Sequence, residues 1–219
     1  MPARPPLFRL AAMAVPIALA FGAHLTAARA AEKASPEKPA DCGKFPIRSL
    51  ERLMCKSATL TALDREMNRV LGLAARGAGT AAASALAKDQ AAWRSQRAGC
   101  ATNKTQDACL RELYVSRIAA IRADSRAARS ADGDGTSLGP FVFRCEGVPD
   151  LLAINYVNVA PDFAWVITGG KGYLMQQQRS GRGARYEGNG TLFWEAQGEA
   201  RWRPTTASPE TLCTRATSH

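Results

Sequence analysis

Cysteine and histidine could bind a metal or attack a substrate, and both are restricted in this chain. The sequence has six cysteines, which fall into three groups: Cys42 and Cys55, Cys100 and Cys109, Cys145 and Cys213. Of its two histidines, His24 lies in the apolar N-terminal stretch and His219 is the last residue. Ser-His or Cys-His catalysis needs a histidine within the fold, and cysteine ligation of a metal needs a free thiolate. With all cysteines oxidised, we therefore expect neither, and we predict no metal site and no cofactor.

Paired carboxylates are the remaining route to hydrolysis, because two acids can act as general acid and base. Glu195 and Glu199 lie close together in the sequence. Two acidic residues on one strand or turn are more commonly solvated surface charges. We therefore predict that the chain is not an enzyme and keep a carboxylate hydrolase as the third of three hypotheses.

The N-terminus has the pattern of an export signal. Two arginines precede the apolar run Leu10 to Phe21, and the small-residue motif Ala28-Arg29-Ala30 is typical of cleavage before Ala31. The apolar run is short of the roughly 20 residues that cross a bilayer. Because the first cysteine is Cys42, no residue at the cleavage point would carry a lipid. We predict a signal peptide over 1–30 and a soluble, disulfide-containing protein in the periplasm or outside the cell.

The net charge of the chain limits the classes of partner that it can bind. The formal net charge of +10 falls to +7 when the first 30 residues, with three arginines and no acidic residue, are removed. Residues 31–134 have 18 basic and 12 acidic side chains, whereas 136–219 have 8 and 7. The excess is spread along predicted helices without a groove-reading motif, so we predict no nucleic-acid partner. Peptidoglycan or another anionic envelope polymer is a better match for such a face.

Composition divides the mature chain into two modules. Residues 31–40 are polar and contain proline, which predicts a disordered lead-in. Residues 130–139 (SADGDGTSLG) predict a flexible linker between a helical domain at 41–129 and a β-rich domain at 140–219. We expect proteolysis in this linker to leave two fragments that unfold independently.

The first module has the periodicity of a small four-helix domain. Residues that are apolar, except for Gln90, recur at helical spacing in four segments: Leu50, Leu53 and Met54; Leu60, Leu63, Met67, Val70 and Leu71; Leu86, Gln90 and Trp93; Leu110, Leu113, Tyr114, Ile118 and Ile121. Disulfides within this module would staple so small a bundle. Spacing alone leaves the pairing of its four cysteines open.

The second module has the pattern of an eight-stranded antiparallel β-barrel. Eight short runs are separated by Gly, Pro, Asn and Asp turns: 141–145, 152–157, 163–168, 173–178, 184–187, 192–195, 199–203 and 211–215. Closing them into a barrel removes exposed sheet edges. Cys145 in the first strand and Cys213 in the last would then be joined.

The helical module resembles the four-cysteine domain of LprI-type lysozyme inhibitors. The matching positions are Asp41-Cys42, Glu51, Met54-Cys55, Leu63-Asp64, Gln90, Trp93, Arg97, Cys100, Cys109-Leu110, Tyr114 and Arg117-Ile118. They agree in order and spacing. We interpret Trp93, Tyr114 and Arg117 as core residues rather than as a binding site.

The β-rich module resembles the MliC/PliC inhibitors of c-type lysozyme. The residues that carry the resemblance are Phe143-Arg144-Cys145-Glu146-Gly147, Ser180 to Tyr186, Phe193-Trp194, Glu199-Ala200 and Cys213. Members of that family are eight-stranded barrels that insert the Gly-rich loop, and a second segment after the tryptophan, into the lysozyme cleft. The resemblance therefore implies a partner-binding surface made of Ser180, Arg182, Gly183, Arg185, Tyr186, Ala196 and Gln197.

Two positions depart from that family. Its members use a serine and a lysine to hydrogen-bond the catalytic carboxylates of lysozyme, and these positions are Arg182 and Ala196 in this chain. Ser180 and Gln197 could supply weaker bonds after a local shift, or Arg182 could replace both donors, since a guanidinium bonds a carboxylate through two N–H groups. A third alternative is a barrel that has lost lysozyme binding.

The leading hypothesis is thus an inhibitor of c-type lysozyme, and the alternative is a non-catalytic envelope-binding or scaffolding protein. C-type lysozymes are basic, so a chain at +7 would be repelled at long range. The near-neutral barrel would leave recognition to short-range fit.

Overall fold

The computed structural model describes residues 41–47, 49–129 and 136–216. The predicted signal peptide at 1–30, the lead-in at 31–40 and positions 130–135 of the predicted linker lie outside the described residues. The described residues belong to one compact unit. None of the helices within them is long and apolar enough to cross a bilayer.

The N-terminal half is helical, as predicted. The described residues form five α-helices here: α1 (Leu50–Lys56), α2 (Ala58–Arg76), α3 (Thr80–Gly99), α4 (Gln106–Asp124) and α5 (Arg126–Arg129). Two short 3-10 helices lie at Cys42–Lys44 and Cys100–Thr102. Serine side chains begin the first two, since Ser49 Oγ accepts from the Arg52 N–H and Ser57 Oγ from the Leu60 N–H. The one-turn α5 is an addition to the four predicted helices; it contains too few residues to show periodicity.

Two disulfides staple this helical half. Cys42 is joined to Cys55, with 5.7 Å between their Cα atoms, and Cys100 is joined to Cys109, with 5.8 Å. They tie the entry segment to α1 and the end of α3 to the start of α4. The predicted pairing within the module is confirmed. Each disulfide lowers the conformational entropy of the unfolded chain, which stabilises the fold by about 3 kcal/mol.

The core of the helical half lies mainly between α2 and α4. The Trp93 ring packs edge-on against Tyr114 at 5.0 Å, and the Trp93 Nε1–H donates to the Leu113 carbonyl. The Tyr114 hydroxyl accepts from Arg97 and donates to Asp64 Oδ1 at 2.8 Å. These contacts support the interpretation of Trp93 and Tyr114 as core residues.

The C-terminal half is a closed antiparallel barrel of eight strands in sequential order, as predicted. The strands are β1 (Ser137–Cys145), β2 (Leu152–Val157), β3 (Phe163–Thr168), β4 (Lys171–Gln178), β5 (Ala184–Gly188), β6 (Thr191–Ala196), β7 (Glu199–Arg203) and β8 (Thr211–Arg215). Aromatic and aliphatic side chains fill its interior, among them Phe143, Tyr156, Phe193 and Trp202.

The disulfide between Cys145 and Cys213 joins the first strand to the last. The two residues are directly opposite in the β1–β8 register, and both side chains are buried. This pairing confirms the prediction. Because the bond closes a loop with a sequence separation of 68, its entropic contribution is about 4 kcal/mol.

The barrel begins earlier than predicted. Ser137 is fully buried and pairs with Val157 of β2, so β1 includes three residues of the segment 130–139 that was predicted to be a linker. Ser137, Gly139 and Pro140 have linker composition, but their backbone is held by the neighbouring strand and by α4. The division into domains at 41–129 and 140–219 stays a prediction.

The two halves share buried surface. The outer faces of β2, β3 and β4 pack on the helices, and Phe163 and Trp165 belong to the same apolar cluster as the α2–α4 core. Arg122 of α4 is fully buried and donates to the Gly139 carbonyl of β1, through Nη2 at 2.8 Å. The barrel is therefore held on the helices by both apolar and charged contacts.

Candidate functional site

Two of the segments singled out from the sequence meet at one end of the barrel. The loop at 179–183 joins β4 to β5, and the turn at Gln197 and Gly198 joins β6 to β7. Both connections lie at the same rim because neighbouring strands run antiparallel. Gly183 is the point of closest approach, since a Cβ built on it would lie 2.1 Å from the Glu195 carbonyl oxygen and 2.7 Å from the Ala196 Cβ.

Arg182 bridges the two segments. Its Nη1 donates to Gln197 Oε1 at 3.2 Å, and its own carbonyl accepts from the Trp194 Nε1–H at 3.0 Å. Arg182 is exposed, so the rest of its guanidinium faces solvent. A small depression of about 60 Å³ lies beside it, lined by Arg182, Trp194, Ala196, Gln197, Glu199 and Arg201. The rim thus presents a fixed cation beside a narrow recess.

The β6–β7 turn aims Gln197 at this cation. Gln197 and Gly198 have φ values of +56° and +83°, the left-handed pair of a two-residue type I′ hairpin. Glutamine is uncommon in that conformation, so the turn is held by the strands on either side. A Gln-Gly dipeptide between two predicted strands is the sequence signal that could have located this hairpin.

Ser180 closes the other loop on itself. Its hydroxyl donates to the Gly183 carbonyl at 2.9 Å, and the residue is exposed. This bond shapes the Gly-rich turn. A hydroxyl that serves the loop must break its own bond before it can donate to a partner.

Arg185 and Tyr186 lie next to this rim without joining it. Arg185 donates through Nε to Glu187 Oε1 at 2.9 Å, and the two form an ion pair on the outer surface. Tyr186 is 4% exposed and its ring lies 5.4 Å from that of Tyr156 inside the barrel. Two of the predicted contact residues are therefore engaged elsewhere: Arg185 is in an ion pair with Glu187, and Tyr186 is in the barrel core.

Glu195 lies at the same end of the barrel. The sequence singles it out only as the possible partner of Glu199 in a carboxylate pair. Its Oε2 accepts from the Tyr156 hydroxyl at 2.7 Å, which directs the side chain into the barrel mouth. In the register Glu195 is opposite Ala200, while Glu199 is opposite Ala196. The carboxylates of Glu195 and Glu199 therefore face opposite sides of the sheet and do not converge on one substrate.

The apposition of the two loops predicts different outcomes for two glycines of one loop. Gly183→Ala would place a methyl group against the backbone of β6 at a φ of +66°, where a left-handed backbone costs about 1–2 kcal/mol for a non-glycine residue. We expect a loss of about 2 kcal/mol in unfolding free energy, and faster hydrogen exchange of the Trp194 indole N–H. Gly181→Ala is the matched control, because nothing lies within 4 Å of its added Cβ. Equal behaviour of the two variants would show that the loop does not rest on β6.

Buried tyrosines predict an alkaline limit to stability. Burial, with the nearby Asp162 and Glu195 carboxylates, raises the pKa of Tyr186 to about 12, and burial also raises the pKa of Tyr114 to about 12. An ordinary tyrosine has a pKa of about 10, so above that pH the unfolded chain loses protons that the folded chain keeps. The stabilisation is complete below about pH 10 and is lost as the pH rises towards 12.

Urea unfolding at increasing pH, followed together with phenolate absorbance, measures this effect. We expect the absorbance change of these tyrosines to appear with unfolding. If they ionise near pH 10 in a chain that is still folded, their burial does not control stability.

Comparison with known proteins agrees with this architecture. Residues 143–210 match the family described as membrane-bound lysozyme-inhibitor of c-type lysozyme, MliC. Lipoprotein LprI of Mycobacterium bovis and that of Mycobacterium tuberculosis are each 28% identical to the chain over 162 residues, which is 74% of this chain and 77% of theirs. No solved structure is significantly similar to the chain. The chain is therefore similar to LprI over most of its length, and its barrel contains the segment that matches the MliC family model.

Proposed function

We propose that this protein binds and inhibits lysozyme through the rim formed by the 179–183 loop and the β6–β7 turn. The observation that carries the proposal is the contact between Arg182 and Gln197, which joins the two segments into one surface. The MliC match covers both segments. The names of that family and of the LprI relatives also favour a location at the cell envelope.

Arg182 is the group we assign to the lysozyme carboxylates. A guanidinium has five N–H donors in a planar fork and stays charged at all physiological pH values. One nitrogen of Arg182 is engaged by Gln197, and the exposed remainder can bond a carboxylate. Ala196 lines the recess beside Arg182 with a short side chain. The space that a lysine would fill at this position is therefore open to a carboxylate of the lysozyme.

Glu195 makes the electrostatics of this rim more favourable to a basic partner than the charge of the whole chain. The carboxylate points into the barrel mouth at this end, hydrogen-bonded to Tyr156. The described barrel also lacks the basic excess of the helical half, since 136–219 has 8 basic and 7 acidic residues. Short-range complementarity can therefore outweigh repulsion between the two proteins.

The second candidate is a non-catalytic envelope-binding or scaffolding protein. The observation that favours it is the pair of departures at Arg182 and Ala196, which remove both donors that the family uses. In that function the barrel is retained and the rim meets a different partner.

A turbidity assay of cell-wall lysis decides between the two. Purified protein is titrated against c-, g- and i-type lysozymes, with the chain denatured by reduction as the control. We expect saturable inhibition of c-type lysozyme. If no class is inhibited, the second candidate takes its place.

A further inference from the structure

A cleft lies between the start of α4 and the outer face of the barrel, away from the Arg182–Gln197 contact. Its volume is about 420 Å³, within the range of about 300–1,000 Å³ that is usual for small-ligand sites. One wall is formed by Ala108, Arg111 and Glu112 of α4, and the other by β3, β4 and the β5–β6 connection. The cleft exists only because the helical half packs on the barrel.

The barrel wall is a regular array of polar side chains. Gln176 is opposite Glu187 in the β4–β5 register, and Gln178 is opposite Arg185. Residues that share a sheet face are spaced about 5 Å across the strands and about 7 Å along them. Gln176 makes no side-chain hydrogen bond within the described chain, so its amide is available to a ligand as both donor and acceptor.

The charged residues of the cleft form two ion pairs and leave one carboxylate over. Arg111 pairs with Asp107 one helical turn away, and Glu187 pairs with Arg185. Glu112 is the remaining charged residue of the lining. With no unpaired cation among the lining residues described, the cleft does not match an anionic polymer.

The floor is apolar. Leu174 of β4 packs against the helical core, and Phe163 is 1% exposed at the inner end of the cleft. Ala108, with its short side chain, also lines the cleft. The barrel is closed, so a peptide cannot bind here by adding a strand to a free edge.

We infer that this cleft binds a short neutral oligosaccharide. Sugar hydroxyls both donate and accept, as the amides of Gln176 and Asn189 do, and the C–H faces of sugar rings suit the apolar floor. Gln178 donates one amide hydrogen to the Gln176 carbonyl and offers its remaining amide atoms to the ligand. This site differs from the proposed lysozyme contact, and it gives the envelope-binding alternative a specific location.

Isothermal titration with tri-N-acetylchitotriose and with maltotriose, in the absence of lysozyme, tests the inference. We expect saturable binding of at least one trisaccharide, with NMR shifts at the Gln176 and Gln178 side-chain amides. Gln176→Ala, which breaks no internal side-chain bond, and Ala108→Trp, which fills the cleft from an exposed position, should each weaken binding by about tenfold or more.

Two control variants locate the site. Ala92→Trp adds the same ring at an exposed position of α3, and Arg182→Ala alters the rim; both should bind sugar as the parent does. If neither sugar binds at concentrations up to its solubility limit, the inference is overturned. Undiminished binding by Ala108→Trp, or binding of heparin alone, would also overturn it. None of these results depends on lysozyme inhibition, so the two proposals fail separately.

Discussion

Arg182→Ala is expected to abolish lysozyme inhibition while leaving the fold intact. Truncating an arginine that holds a carboxylate in a largely dry cleft commonly costs about 2–5 kcal/mol, or roughly 30-fold to several thousandfold in affinity. The resemblance to the MliC inhibitors predicts that Arg182 takes the position of their serine, and its guanidinium donates to Gln197 Oε1. The residue is exposed, so its loss should change the unfolding free energy by about 0.5 kcal/mol or less.

Two neighbouring arginines and one conservative change are the matched controls. Arg179→Ala removes an exposed charge from the same loop, and Arg185→Ala removes one that is already paired with Glu187. Both should inhibit nearly as well as the parent. Arg182→Lys keeps the charge but not the planar fork and should inhibit partially. If Arg182→Ala inhibits like the parent in the turbidity assay, Arg182 does not replace the serine and lysine donors of the MliC inhibitors.

Arg122→Met is expected to lower the unfolding free energy by about 3–5 kcal/mol, the usual cost of breaking a buried charged cluster by removing one partner. The Arg122 guanidinium donates to the carbonyls of Ala128 and Gly139 and to the Ser137 hydroxyl. That hydroxyl is hydrogen-bonded to Glu66, which is 3% exposed. Methionine would leave these buried acceptors without their donor.

Urea unfolding measured by far-UV circular dichroism and by tryptophan fluorescence checks this prediction. Arg126→Met is the control, because that arginine is exposed and its change should stay within about 0.5 kcal/mol.

We also expect the parent to unfold in one transition, because the halves share a core. Two separate transitions in the parent, with the helical and barrel signals lost at different urea concentrations, would instead support the independent fragments that the sequence predicts.

Local patterns predicted most of the architecture. Helical spacing of apolar residues located α1 to α4. Short runs of alternating apolar and polar residues, bounded by turn residues, located all eight strands within a few residues. The two helical disulfides join cysteines 13 and 9 residues apart, and proximity in sequence favours such pairs. The Gly-rich loop was found through its likeness to a family, and the meeting of that loop with the β6–β7 turn followed from the barrel topology.

Contacts between distant residues had to come from the structure. The composition of 130–139 is that of a linker, but Ser137 is held by Glu66, 71 residues earlier in the chain, and by Arg122. Nothing in the local pattern distinguishes an arginine on the solvent face of a helix from one that a strand covers. The buried position of Tyr186 and the opposite orientations of Glu195 and Glu199 likewise follow from the strand register.

The sequence by itself determined the secondary structure and the closed barrel, because each depends on residue type and on spacing over a few residues. Tertiary structure alone decided which face of the barrel the helices cover, the polar cleft that this packing creates, and the bond between Arg182 and Gln197. These features depend on side chains that approach only after the chain has closed. Their energies come from burial and hydrogen-bond geometry, which the order of residues does not express locally.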